Sequence, residues 1–272
     1  MDENKFKNLP SNPSNVKFDK KLPKSYQSAD SFFHFMNKFE YLAEILCDKK
    51  IYPRYCKESL ELFDISISEV MILMKCFCDI PLHQVNRHKK EYGDICIGLT
   101  KEWGVRSGLQ PVIYYNPNSE YPISIKKSFN SAMNYVGNEE LLDDITEILN
   151  MNLKYQKYIK GKDLKTGKVK DFGDEKEWRY VPSISNDLDF SEIITSSSII
   201  NNELLIEEFN KKIKGSKYCI EFEYSDIKYL FVKTKKQKKQ LIKLIMNLDI
   251  GVEKRYDLLT KIGVWKEVER DF

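Results

Sequence analysis

At 272 residues the chain is long enough for one large domain or two small ones, and its 42% hydrophobic content can fill a core, which argues against bulk disorder. Its 44 basic residues nearly balance 41 acidic ones, so a net charge of +3 does not by itself point to nucleic acid. No run of about 18 apolar residues exists to form a membrane-spanning helix.

The opening MDENKFKNLP is polar and lacks the apolar stretch of an export signal. Residues 1–28 hold three of the nine prolines among Lys, Asn and Ser, and read as a polar arm before a single α+β domain over 29–272. SFFHFMN (31–37) predicts a strand with Phe32, His34 and Met36 on one face, and 38–50 a helix with Phe39, Leu42, Ile45 and Leu46 at helical spacing. The apolar run 68–81 suits a buried strand, and LHQVNRHKKEYG a short helix stopped by Gly93.

Strands are predicted at 94–103 and 110–116, and a long helix at 138–160. The polar, glycine-bearing 161–174 reads as a loop or exposed hairpin, and KEWRYVP as the next strand, ended by Pro182. A helix near 202–214, strands at 217–224 and 227–234, a helix at 235–248 and a last strand at 261–269 complete the reading. Strands interspersed irregularly with helices predict α+β: a mixed, largely antiparallel central sheet with flanking helices.

The six cysteines (Cys47, Cys56, Cys76, Cys78, Cys96 and Cys219) are dispersed among apolar neighbours, as expected of reduced thiols in a soluble, cytoplasmic protein. The sequence has no GxGxxG, GxxxxGK[ST] or GxSxG loop. Cys76, Cys78, His83 and His88 have zinc-ligand types, but the two cysteines fall in an apolar strand and would point into a core, so no metal is expected.

His34 is either a core histidine bonded to a backbone carbonyl or a donor to a ribose or phosphate. Arg54 and Tyr55, with Tyr52, suit either a phosphate or base contact or a surface cation–π pair. Tyr92 ends the helix that carries His88, Lys89 and Lys90. DEKEWRYVP (174–182) puts Glu177 and Arg179 on one strand face, as a solvated ion pair or as a carboxylate kept ionised for chemistry. Lys235, Lys236, Lys238 and Lys239 form a basic helix face, solvated or gripping nucleic acid.

The stretches SFFHFMNKFEYLAEIL, IYPRY, MKCFCDIPL, HKKEYGDICIGLTKEW, PVIYY and EKEWRYVP, in this order, resemble the AbiGi-type abortive-infection (phage resistance) family. The resemblance covers residues 30–182 and extends more weakly to SDIKYLFVKTKKQKKQLI. It implies a part in phage defence, as antitoxin or regulator of a nucleotidyltransferase-like toxin in a two-gene system. A looser likeness links the chain to ADP-ribosyltransferase-like folds. That likeness implies NAD as cofactor, His34 as the contact to its ribose, Glu177 as the catalytic carboxylate and Tyr92 or Tyr55 in the tyrosine position. A scaffold without catalysis is the alternative.

Overall fold

The structure, a computed structural model, describes residues 28–268 apart from 64, 136, 138, 165 and 185–188, so the arm expected over 1–28 lies almost wholly outside the described residues. Strand β1 (Ser31–Met36) leads into α1 (Phe39–Asp48), which buries Leu42, Ile45 and Leu46 at the predicted spacing. Two short strands, β2 (Lys50–Ile51) and β3 (Arg54–Ser59), precede the ten-residue β4 (Glu69–Cys78). Helix α2 (Asn86–Tyr92) then stops at Gly93, as predicted.

The strand expected over 94–103 ends early. Strand β5 (Ile95–Thr100) gives way to α3 (Lys101–Arg106), because the Thr100 hydroxyl accepts the backbone N–H of Trp103 and caps a new helix. The strand expected over 110–116 divides into β6 (Gln110–Pro111) and β7 (Ile113–Tyr115). Helix α4 (Glu120–Met133) was not among the predicted elements; only Pro122 and Phe129 of its residues are buried, too thin a stripe to register as a period.

Helix α5 (Glu139–Tyr155) yields its expected last turn to β8 (Gln156–Tyr158), which pairs in parallel with β7. Strands β9 (Lys160–Lys162) and β10 (Val169–Asp171) decide the segment read as a loop or a hairpin in favour of the hairpin, and β11 (Glu177–Tyr180) follows. Next come β12 (Ile193–Ile194), the short α6 (Ser197–Ile200) and α7 (Glu203–Ile213), capped by the Asn202 side chain. The strand expected over 217–224 is reduced to β13 (Ile220–Glu221), whereas β14 (Ile227–Val232) and α8 (Lys235–Met246) form as read. Helix α9 (Val252–Thr260), strand β15 (Ile262–Val264) and α10 (Trp265–Val268) end the described chain.

The main sheet runs β15-β14-β5-β1-β4-β11-β6, with β3 and β12 also on β4. Every pairing in it is antiparallel except β14 with β15. This is the α+β class and the largely antiparallel sheet expected. Strand β4 is its spine: its first half pairs β3 and β12, its second half β11 and, through Phe33↔Cys78, β1. Phe77 enters the core under α1, α3 and α8, and Val70, Ile72 and Met74 enter the one under α4 and α5. Met71 and Leu73 pack with α6 and α7, and Cys78 joins Phe33, Phe35, Cys96 and Trp265. A strand that feeds four clusters must be apolar on both faces, which explains its hydrophobic run from Val70 to Cys78, interrupted at Lys75 alone.

Gly93 adopts φ 116° and ψ 164°, a region essentially reserved for glycine, and a Cβ there would lie 2.2 Å from the Met36 carbonyl oxygen. Gly108, at φ 74°, has open space around its Cβ position. Gly93→Ala is therefore expected to destabilise by more than about 3 kcal/mol, and Gly108→Ala by about 1–2 kcal/mol, measured by thermal denaturation.

Candidate functional site

Strand β11 alternates as the sequence suggests. Trp178 meets Phe32 on one face, ring centroids 4.7 Å apart, while Glu177 and Arg179 turn to the other. The charged pair is not solvated: Arg179 is 0% and Glu177 7% exposed. The reading of a surface ion pair is corrected here, because β4 and β6 flank the strand and α5 covers this face.

A guanidinium stays charged in a protein interior, so its donors need acceptors. Arg179 Nε donates to Glu177 Oε1 at 2.8 Å, and Nη2 to Glu177 Oε2 at 3.3 Å and Glu58 Oε1 at 2.9 Å. Nη1 donates to the Lys154 carbonyl at 2.9 Å. Beyond it, Lys157 Nζ lies 3.2 Å from Glu175, 3.4 Å from Glu177 and 3.8 Å from Glu58. Lys170 closes the far end against Glu175 at 2.7 Å and against Glu91. The Tyr92 hydroxyl donates to Glu175 Oε1 at 2.5 Å, and the Glu177 backbone N–H donates to the Tyr114 hydroxyl at 3.0 Å.

Three cations and four carboxylates thus form one chain of contacts. Burial alone would raise the Glu177 carboxyl, but the Arg179 guanidinium and then Lys157 hold it well below the usual carboxylate range. Glu175 is held down in the same way against its own burial, first by Lys157. Burial, then Glu175, pushes the Tyr92 hydroxyl far above its ordinary value, so it remains a donor. Burial also raises the Cys76 thiol, with Glu177 beside it, so it stays protonated. Both Glu177 oxygens are held by cations, an arrangement that fixes strands and offers no free carboxylate to a substrate. A pocket of about 190 Å³ bordered by Arg87, His88, Glu91, Lys170 and Glu175 opens on the outer end of this chain.

The structure brings Tyr92, Glu177 and Arg179 together and leaves the other candidates apart. His34 shares a face with Phe32, Met36, Ile97 and Phe77, opposite to the face of Glu177, so the two do not frame a common NAD pocket. Its Nδ1 donates to the Cys76 carbonyl at 3.0 Å. Burial, then Lys75, holds the ring well below the ordinary histidine value, which keeps it neutral.

Arg54 is exposed, whereas Tyr55 is buried, its hydroxyl donating to the Ser191 carbonyl at 2.7 Å. Lys235, Lys236 and Lys239 are exposed on α8 and Lys238 is half-buried; Lys235 pairs with Glu267 at 3.3 Å. Helix α8 packs on β15, α9 and α1, at the end of the sheet away from β11. Cys78 is buried, Cys76 half-buried, His83 exposed and His88 half-buried, and no group of three or more metal-ligating side chains is assembled among the described residues. Glu58, Lys157, Lys170 and Glu175 escape sequence reasoning, since their signal is a charge set between apolar neighbours in segments far apart along the chain.

Arg179→Met is expected to cost about 3–5 kcal/mol in urea denaturation, because it leaves Glu177 buried without its main partner. Adding Glu177→Leu should recover part of that loss. Acid should unfold the protein in two stages. His88, pushed down to about 4 by burial, and His34 bind protons in the unfolded chain first, so stability starts to fall near pH 6.5. Glu175 and Glu177, depressed in the fold, contribute fully above about pH 4.3, and their contribution is lost as pH falls through their folded values. Thermal midpoints across pH should show both stages, with His88→Gln flattening the upper one.

A family model described as "Putative abortive phage resistance protein AbiGi, antitoxin" matches residues 49–233. That span contains the whole ion network, while His34 and the α8 lysines fall outside it. A curated relative, the abortive phage resistance protein AbiGi of Lactococcus lactis subsp. cremoris, is 30% identical over 246 residues, covering 81% of this chain and 98% of the relative. No solved structure matches the chain. No helix among the described residues is long and apolar enough to cross a membrane. By the family match and by this relative, the chain belongs to the AbiGi family of abortive phage resistance proteins.

Proposed function

We propose that this protein is the antitoxin of a two-gene phage-defence system and restrains a partner toxin by binding, without a reaction of its own at Glu177. Two lines support the reading: the family is described as an antitoxin, and Glu177, Arg179 and Lys157 in its matched span are saturated by one another. The observation that carries it is the state of Glu177, whose two oxygens are both occupied by cations, the buried Arg179 and the half-buried Lys157. A carboxylate that stabilises a cationic transition state must face the reacting atom, and this one faces Arg179 and Lys157. The partner in this reading is a nucleotidyltransferase-like toxin encoded beside this chain.

Co-expression with the neighbouring gene tests this. The wild-type chain should restore growth to cells expressing the toxin, and so should the double variant His34→Gln/Glu177→Gln, within about twofold. Glutamine keeps a donor for the Cys76 carbonyl and an acceptor for Arg179 Nε, and the variant is scored once its thermal melt shows it folded. Loss of rescue by a folded double variant, or NAD turnover that the variant abolishes, would overturn the non-catalytic reading.

A further inference from the structure

Helix α5 has two apolar faces, and only one of them is covered among the described residues. Leu149 and Leu153, with Ile145, pack into the cluster beneath β4. The opposite stripe, Asp144, Ile148, Met151 and Tyr155, follows the i, i+4, i+7, i+11 spacing of a single helix face. It borders an open groove of about 660 Å³, with Ile113 of β7 and Gln110 of β6 across from it. Ile148, Met151 and Ile113 are 63%, 46% and 52% exposed, although large aliphatic side chains grouped in one place favour cover.

Two further features describe what fits there. The rim is acidic: Asp144 and Glu147 are exposed and neither is ion-paired among the described residues. Gln156 is the one buried residue of the lining, at 8% exposed, and its Oε1 has no hydrogen-bond partner among the described residues while its Nε2 donates to Asn152. A buried acceptor at the base of a groove calls for a donor from whatever fills it. The stripe from residue 144 to 155 extends about 16 Å, the length of a three-turn helix.

We infer that this groove receives an amphipathic helix of the partner toxin, its apolar face on Ile148, Met151 and Ile113, with Lys or Arg beside Asp144 and Glu147 and a polar donor for Gln156. The inference rests on the antitoxin reading and adds the surface through which it acts. A second copy of this chain is a poor occupant, because a twofold contact through this groove would bring acidic rims together. Recognition would follow the helix-in-groove mode, with anchors at i, i+3, i+4 and i+7 of the incoming helix.

The test uses the full chain and the toxin encoded beside its gene, co-expressed and co-purified. Ile148→Glu/Met151→Glu changes exposed residues and should leave the thermal midpoint of the free chain intact. It should weaken toxin binding more than tenfold and abolish growth rescue. Asp144→Lys/Glu147→Lys should weaken binding about as much, and the toxin should slow hydrogen exchange along α5. If wild type rescues growth and the Ile148→Glu/Met151→Glu variant rescues equally, the groove is not the docking surface and the antitoxin reading stands. If wild type itself fails to rescue, that reading falls and the groove assignment with it. A dimer of the free chain broken by Ile148→Glu assigns the groove to a second copy. Faster α5 exchange in the free chain after deletion of residues 1–27 assigns it to the chain's own N-terminal segment. Either result overturns the proposal.

Discussion

A guanidinium cannot be neutralised at any pH the cell sees, so burying one obliges the surrounding chain to deliver acceptors to it. Arg179 takes Glu177 from its own strand, Glu58 from β3 and a main-chain carbonyl from the end of α5. The second of these lies 121 residues away in sequence, so the contact forms only once β3, β4 and β11 are in register. A slip of β11 by one residue would turn Glu177 and Arg179 toward Phe32 and Phe77, away from Lys157 and Glu58. The energetic return of such a buried pair over an apolar packing of equal volume is small or negative. Its effect is to make one strand register much better than its neighbours.

The same sheet treats its two faces by opposite electrostatic means. On the Arg179 face the carboxylates and cations pair with one another, and Glu175 and Glu177 are held in their charged form. On the His34 face the ionisable groups move toward neutrality. Burial depresses His34, and burial pushes Lys75, which faces Tyr180 across the β4–β11 register, down to about 8. The contrast follows from desolvation, which charges survive only where opposite charges sit within a few ångströms. His34 also serves the sheet directly. Strands β1 and β4 share the single register pair Phe33↔Cys78, and next to it the imidazole satisfies the Cys76 carbonyl.

Periodicity carries α1, α7, α8 and the spine strand β4, because each buries a dense stripe or run that the sequence displays locally. The helix stop at Gly93 is legible for a different reason: the backbone there needs a conformation that side chains resist. What stays hidden is whatever depends on distant partners. The alternation of EKEWRYVP gives the correct faces, but the burial of Glu177 and Arg179 depends on Glu58, Lys157 and Glu175, which no local pattern connects. The end of α5 is hidden in the same way, since Gln156–Tyr158 leave the helix to pair with β7, itself cut from β6 at Val112 by a bond to the Glu177 carbonyl. His34 and Glu177 are each read as candidates, and only the sheet order shows that they face away from each other.

The ion network and the groove on α5 meet in one short segment. Arg179 holds the Lys154 carbonyl, and the next two residues, Tyr155 and Gln156, line the groove. Lys157, one step further on, is fixed among Glu58, Glu175 and Glu177. The last turn of α5 and the first residue of β8 are therefore clamped on both sides of the groove wall by contacts that reach into the sheet. A surface held in this way presents its exposed aliphatic stripe in one geometry and loses little conformational entropy when covered. That gives the buried charges a physical role in binding without any contact to a partner: they set the shape of the wall that Ile148, Met151 and Tyr155 present. In the docking proposed for α5 the exposed stripe makes the contact, and the ion network as a whole, rather than any one carboxylate, holds the wall in place.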